Sequence, residues 1–493
     1  MPALIGGSEF NEILGATTDS PGATIAGGGA SFYGPHRIAG VSPFATISGG
    51  SQNAITNSRW AVIGGGLENF VDSGPNGAGA DFQTIGGGYR NKIFLPIQDQ
   101  RDGNTIAGGY DNLITYSTSA HIRFAFIGGG YNNTNQAEGG AIGGGAQNRL
   151  GGWYSFVGSG ARNSIPVGGD FAAIAGGSDN RIAGQNGFIG GGAANVMDAL
   201  SGFNPSVIGG GRWNRVTEYG YASFIGGGEA NTNRGGLSVI GGGQENELTG
   251  TYATIAGGIR NKSAWSYAAI GGGAGNQVTG NFGTIAGGLN NEANGTAFAA
   301  GENAKARHAS SFVWAGGGSS VDTESFGSGT FTARAIGGVR FYTAYDTATG
   351  VALPAGGGAW SSLSDRESKE NVKPVNVRDI LDKVVSLPLG NWNYKSQSQS
   401  IRHIGPMAQD FRAAFGLGED EKHISTVDAD GVALAAIQGL NEKLREKDTE
   451  IAGLKERLAA LEKSQTNRDE KLVVLERAVR QLLSSNVQQA ALR

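Results

Sequence analysis

Ser364 and Lys369 lie five residues apart in the polar stretch W-S-S-L-S-D-R-E-S-K-E-N-V-K-P, Trp360 to Pro374. These residue types can serve as a nucleophile and its base for attack on a peptide carbonyl. A serine hydroxyl is weakly nucleophilic until a neighbour takes its proton. Lysine can take that proton only as the neutral amine, which requires burial or a nearby cation. Taken alone, a serine and a lysine at this spacing are ordinarily two solvated side chains. His403 is a further candidate for proton chemistry, and alone it reads more readily as a structural hydrogen-bonding histidine. The pair stands at a seam: a long glycine-rich repeat precedes it, and a mixed sequence ending in heptads follows.

The elements that must position these residues belong to a chain of 493 residues, too long for one compact core. Gly accounts for 88 residues and Pro for only 12, without the strict Gly-X-Y period of collagen. Simple disorder is excluded by an apolar share of 39% that recurs regularly. A net charge of −4 gives no electrostatic case for nucleic-acid binding. There is no cysteine, hence no disulfide framework and no thiolate metal site. No cofactor or metal is expected. No apolar run approaches the roughly 18 residues of a membrane span. M-P-A-L-I-G-G-S-E-F lacks the basic and apolar regions of a signal peptide, so either export by that route is not expected or the native N-terminus is missing.

Between Met1 and about Trp314 one pattern recurs: apolar-Ile-[Gly/Ala/Ser]-Gly-Gly-x-x-Asn-x-apolar. Clear copies are V-I-G-G-G-L-E-N-F-V (Val62 to Val71), V-I-G-G-G-Q-E-N-E-L (Val239 to Leu248) and A-I-G-G-G-A-G-N-Q-V (Ala269 to Val278). Seventeen anchor residues run from Ile5, Ile25 and Ile47 to Ile285, with Val157 in one place. An Asn follows nearly every anchor by six positions; in the second copy Ser31 stands there. The anchors are fifteen residues apart from Ile225 to Ile285 and up to twenty-two apart toward the N-terminus. A fixed period with insertions at one phase predicts a solenoid with loops on one side. Fifteen residues suit two strands of about five with two tight turns. Gly-Gly permits positive φ where the chain reverses, and Asn tolerates the left-handed region and can bond its counterpart in the next coil. The anchor and the apolar residue eight later are expected to stack inward. Seventeen coils at about 4.8 Å each make a rod of roughly 80 Å. So thin a coil buries one or two side chains per turn, which predicts several chains packed side by side.

The repeat, with its last units G-T-A-F-A-A-G-E-N-A-K-A-R-H-A-S-S-F-V-W-A (Gly295 to Ala315), resembles the head of trimeric autotransporter adhesins, a left-handed parallel β-roll. The Gly-Gly-x-x-Asn form departs from the usual adhesin consensus. The glycines and asparagines read as architecture. A P-loop would need a Lys-Ser/Thr that is absent, and calcium-binding nonapeptides would need Asp in series. Aromatics and charges gather in the insertions: Phe32 and Tyr33, Asp99 to Asp102, Tyr116 to Phe124, Trp153 and Tyr154, Trp213, and Trp265 with Tyr267. They would cover gaps between chains or contact sugars. A glycosidase would need two carboxylates roughly 5–10 Å apart.

From Ala315 to Leu363 the period breaks. F-T-A-R and V-R-F-Y-T alternate like short strands, and a Gly-rich stretch, Pro354 to Gly358, follows. This reads as a β neck. Three motifs then appear in order: S-D-R-E-S-K-E-N-V-K-P from Ser364, I-R-H-I-G-P-M-A-Q-D-F (Ile401 to Phe411) and V-D-A-D-G-V-A-L-A-A-I-Q-G-L (Val427 to Leu440). They resemble the self-cleaving intramolecular chaperone at the C-terminus of phage endosialidases, tail spikes and tail fibres. The resemblance implies that the domain, residues 364–436, trimerises, guides folding of the preceding stalk, and then cuts itself off by a serine-lysine dyad. It makes Ser364 the nucleophile, Lys369 its base, and the bond between Leu363 and Ser364 the cleavage site. It makes His403 and Gly405 necessary for cleavage, with Asp365 supporting. Glu367 and Ser368 stand where the family often has a small or apolar pair.

The chain ends in heptads over 437–493. With Ile437 as a and Leu440 as d, the series continues Leu444, Lys447, Ile451, Leu454, Leu458, Leu461, Gln465, Arg468, Leu472, Leu475, Val479, Leu482 and Asn486. This predicts a coiled coil, and the chaperone resemblance implies three strands. The fold expected is mainly β: a parallel solenoid of fifteen-residue coils, an α+β domain and a coiled coil. The function expected is a homotrimeric tail-fibre or adhesin-like protein on a virion or bacterial surface, binding a host glycan or protein receptor. Two alternatives stand beside it: a polysaccharide-degrading tailspike, and an uncleaved bacterial surface protein that keeps the domain as a trimer clamp.

Overall fold

The repeat winds into a parallel β-solenoid. A computed structural model of the chain describes residues 2–15, 18–29, 34–74, 81–95, 103–116, 122–198, 205–217, 219–318, 320–345, 347 and 349–490. Ser31, Phe32, Tyr33, Asp99, Asp102 and part of the Tyr116 to Phe124 group lie outside the described residues. The chain divides into two units, Met1–Ile336 and Gly337–Arg493.

In the first unit, each coil adds one rung to two parallel ladders. Ladder A joins anchor to anchor, as in Ile63↔Ile85 and Ile85↔Ile106. Ladder B joins the residues eight later, as in Val71↔Ile93 and Ile93↔Ile114. Beyond the first rung, where Ile5 is exposed, the inward positions of the repeat are buried, with Ile63, Ile85, Ile106, Val71, Ile93 and Ile114 fully so. Ladder A has 20 strands, because the rungs continue past Ile285 through Ala299, Val313 and Thr332. Thus F-T-A-R, Phe331–Arg334, is the last rung of ladder A. The rings of Phe298, Phe312 and Phe331 stack there at 4.7 and 4.9 Å.

The strands are shorter than the expected five residues. Most span two, such as Val62–Ile63, and some three, such as Phe70–Asp72. The backbone between them turns through the left-handed region twice, at Gly66 (φ 89°) and Glu68 (φ 55°). The second left-handed residue falls one place before the Asn and not on it. It is rarely glycine: Arg90, Asp111, Ala194 and Trp213 take the same conformation in other coils. Between the two turns a single residue pairs with the next coil, forming a third ladder through Leu67, Tyr89, Tyr110 and Tyr131.

The Asn six places after each anchor is buried and lies in a ladder of its own. Asn69 Nδ2 donates to Gly65 O at 3.0 Å and to Gly88 O of the next coil at 2.9 Å. Asn69 Oδ1 accepts from Asn91 N at 3.0 Å and from Asn91 Nδ2 at 3.2 Å. One side chain therefore closes the turn of its own coil and ties it to its neighbours. In the second coil His36 takes this place: its N–H donates to Asn11 Oδ1 at 3.0 Å, and its Nδ1 accepts from Asn53 N at 3.2 Å. An acceptor at Nδ1 requires the neutral ring. Burial lowers the His36 pKa from its ordinary value, outweighing backbone hydrogen bonds that raise it.

The second unit begins with an antiparallel sheet of Val339–Tyr342, Gly350–Leu353 and Ser361–Ser362. Three helices follow: α1 (Val377–Ser386), α2 (Ala408–Phe415) and α3 (Thr426–Ala490). Asn376 caps α1 by accepting from Arg378 N and Asp379 N. The α1 helix lies close against α3 at Gly439, where a Cβ would stand 2.3 Å from Val377 O. Arg378 bridges to Glu442 at 2.9 Å and Lys443 to Asp382 at 2.7 Å across the same contact. Gly416 ends α2 in the left-handed conformation, φ 67°. The α3 helix runs for 65 residues and carries the heptads. Among the described residues, no helix is long and apolar enough to cross a membrane.

Candidate functional site

Ser361–Ser362 is the edge strand that delivers the candidate site. Leu363 N donates to Gly350 O at 3.1 Å, the last bond of the sheet before the chain turns away. Asp365 then organises a tight turn. Its Oδ1 accepts from Glu367 N at 3.1 Å, and its carbonyl accepts from Ser368 Oγ at 2.9 Å. Short polar side chains favour such turns because they supply the backbone with local partners. Lys369 N donates to Arg366 O at 3.2 Å, which folds Lys369 back over the start of the turn. As a result Lys369 Nζ donates to Ser364 Oγ at 2.5 Å. Both side chains are exposed, beside a cleft of about 570 Å³ lined by Ala344, Thr349, Asp365, Glu367, Ser368, Lys369 and Glu370.

His403 occupies a different setting. It opens the strand His403–Gly405, which pairs antiparallel with Gly390–Trp392 so that His403 faces Trp392 and Gly405 faces Gly390. The His403 Nε2 bonds Gln397 Oε1 at 2.9 Å, so Nε2 carries the proton in that contact. Its ring lies 4.9 Å from Trp392 and 5.7 Å from Tyr394. The structure thus brings Ser364 and Lys369 into contact and holds His403 in an aromatic corner bonded to Gln397. Gln397, Trp392 and Tyr394 are the residues that sequence reasoning missed. The alternation of G-N-W around Trp392 and of H-I-G around His403 is their only sequence signal.

Trp392 and Tyr394 also line a cleft of about 500 Å³ with Pro406, Met407, Gln409 and His423. His423 Nδ1 bonds Asp420 Oδ2 at 2.9 Å. The Asp420 carboxyl is held below its usual range, first by the Lys422 N–H and then by His423.

In the solenoid, a cleft of about 310 Å³ is lined by Asp198, Arg215, Thr217, Tyr219 and Arg234. Its carboxylate, Asp198, is paired with Arg215 at 2.5 Å. The described lining therefore offers one ion-paired acid and no carboxylate pair for sugar hydrolysis. Among the described residues, no group of three or more His, Asp or Glu is placed to hold a metal ion. Of the aromatics expected in the insertions, Phe124, Tyr154, Trp213 and Tyr267 occupy regular turn positions instead. Tyr267 stacks between Tyr252 at 5.1 Å and Phe282 at 4.9 Å, and Tyr154 stacks on Phe171 at 5.7 Å.

Residues 364–416 match the family model for the chaperone of endosialidase. The match begins at Ser364, ends at the glycine that caps α2, and contains the first two of the three motifs. No curated protein matches the chain. C-terminal to its β-solenoid, this chain carries a segment similar to the chaperone-of-endosialidase family.

Proposed function

We propose that the chain is a trimeric tail-fibre or adhesin-like protein of a virion or bacterial surface. In this reading the C-terminal unit assembles three solenoids and then releases itself by cutting between Leu363 and Ser364. The observation that carries it is the 2.5 Å contact of Lys369 Nζ with Ser364 Oγ, at the first residue of the chaperone match. The exposed apolar residues of α3 support the trimer. Leu454, Leu458 and Leu461 sit at core positions of the heptads and face solvent in the single chain. Burying such a stripe requires partner helices.

The chemistry follows from the order of atoms along the chain. Neutral Lys369 takes the proton of Ser364 Oγ, and the oxygen attacks the Leu363 carbonyl carbon. The carbon–nitrogen bond breaks, the nitrogen of Ser364 leaves as an amine carrying that proton, and the Leu363 acyl group rests on Oγ as an ester. Water hydrolyses the ester, leaving a Leu363 carboxylate and the free hydroxyl. The single chain exposes Lys369 to water. Burial by neighbouring copies would favour the amine, which ties cutting to assembly. His403, with Gly405, serves as a positioning residue in the same unit.

The test is denaturing mass analysis of freshly expressed wild type beside Ser364→Ala. The expected result is a wild-type chain split after Leu363 and an intact variant. A wild-type chain that stays whole removes the peptidase assignment and leaves a trimer clamp.

A further inference from the structure

One side of the solenoid carries no charge. In each coil the residue three before the anchor, the one just before it and the two just after it are never Asp, Glu, Lys or Arg in any of the seventeen coils. The ion pairs lie on the other positions: Arg90 with Glu68, Arg162 with Asp179, and Arg260 with Glu245 all sit five places after an anchor. The charge-free side is also aromatic. Phe126 lies over Gly128, its ring 3.4 Å from where a Cβ would stand. Phe156 and Phe224 lie over Gly158 and Gly226 in the same way.

Two features mark this side. The residue three before the anchor is often a large ring held at positive φ, as at Tyr154 (51°), Tyr252 (56°) and Phe282 (65°), all more than half exposed. Glycine fills the same turn at Gly139 (φ 60°), so the backbone does not need the ring, and where rings are present they stack coil on coil and leave their outer edges exposed. Bulky side chains rarely adopt this backbone conformation. The second feature is the residue two after the anchor. It is glycine in every coil but one; Gly191 and Gly272 need it for φ of 154° and 147°, yet at Gly65, Gly144 and Gly227 a Cβ would meet nothing within 4 Å. None of these three has positive φ, and Ser159 stands in the same place in its coil. The neighbouring Gly145 is different: its φ is 86°, and a Cβ would stand 2.0 Å from Gly160 O.

We infer that this charge-free side of ladder A is the face by which copies of this chain meet, in parallel and in register. The inference rests on the trimer reading above and names its contact face. The occupant follows from size and pitch. Rungs about 4.8 Å apart make a face of roughly 80 to 90 Å, and a width of about 10 Å gives on the order of 800 Å², the area per partner of a stable interface. Thr24, Thr46, Thr84, Thr105, Thr254 and Thr284 keep the face uncharged without making it wholly apolar. A second copy of the same ladder repeats at the same pitch along the whole length, so each ring can meet a ring and each open glycine can admit a neighbouring backbone. The charged sides are left to solvent.

The test uses the full chain, which has no native cysteine. Gly65→Cys, Gly144→Cys and Gly227→Cys place single thiols on this face at three heights, and Gln277→Cys places one on the outer side of ladder B. Each is treated with a short bismaleimide, while native mass gives the number of copies. The expected result is a three-copy particle in which the glycine variants yield covalent dimers and Gln277→Cys does not. A three-copy particle linked only through Gln277→Cys overturns the inference and leaves the trimer standing. A three-copy particle linked at neither place also overturns it and leaves the face to an outside ligand such as an extended glycan. A single-copy particle removes the trimer reading and the inference together.

Discussion

Ile240 in the solenoid is fully buried by its own chain, whereas Leu461 in the C-terminal heptads is 68% exposed. Polar groups divide in the same way. Asn246 is fully buried, with its amide bonded to Gly242, Gly258 and Asn231. Ser364 and Lys369 contact each other in open solvent. The solenoid takes every partner from the coil before or after, so its interior is complete in one chain. The second unit leaves heptad residues such as Leu454, Leu458 and Leu461 exposed in the single chain. The solenoid therefore has a buried interior of its own, whereas the heptads of its neighbour expose most of their apolar residues in the single chain.

Substitutions inside the solenoid test the first half of that contrast. Ile225→Ala should cost about 2–5 kcal/mol in thermal or denaturant unfolding, because the cavity lies between rungs that cannot collapse. Leu461→Ala should leave solenoid unfolding unchanged and weaken only the association of copies, read by native mass against concentration. Equal effects of the two on solenoid unfolding would break the comparison.

Asn246→Ala should cost roughly 1–3 kcal/mol for each buried group left unpaired, since the Gly242 carbonyl loses its side-chain donor and the Asn261 N–H loses its acceptor, while Gly258 O keeps Gln244 N. The adjacent glycines sharpen the point. Gly228 has φ 87° and a Cβ there would stand 2.1 Å from Gly243 O, so Gly228→Ala should destabilise the chain by several times more than Gly227→Ala. Urea midpoints of the two variants provide the check, and equal midpoints would refute the assigned roles.

The smallest effect expected is a pH dependence at His36. Its pKa is lowered in the folded coil, so the unfolded state binds the proton more readily. Its contribution is full above about pH 6.5, the ordinary imidazole value, and is lost as pH falls through the lower folded value. The protection factor of the Asn53 amide, which donates to His36 Nδ1, should therefore fall on acidification once exchange is corrected for its intrinsic pH dependence, while the Asn91 amide keeps its protection.

Much of the solenoid was legible because one period governs it. The anchors, the inward residues eight later and the Asn ladder all follow from a single repeating pattern. The left-handed residue before each Asn was not legible, because Glu68, Arg90, Ala194 and Trp213 share no side-chain property. Its conformation is imposed by the hydrogen bonds around it. His36 was hidden by an inserted loop that moves it off phase. In the C-terminal unit, five-residue spacing alone does not bring Lys369 to Ser364; the turn built on Asp365 does. The partners of His403 come from a hairpin whose strands are eleven residues apart at the Trp392↔His403 pair, a distance no local pattern reports.

The claim that cutting depends on assembly can be tested with one gel. Wild type, Ser364→Ala and Leu454→Glu/Leu458→Glu are expressed side by side, with native mass to count copies and denaturing mass to detect cleavage. The account predicts that wild type is trimeric and split after Leu363, that Ser364→Ala is trimeric and whole, and that the double helix variant is monomeric and whole. A monomeric double variant that still splits after Leu363 would contradict it.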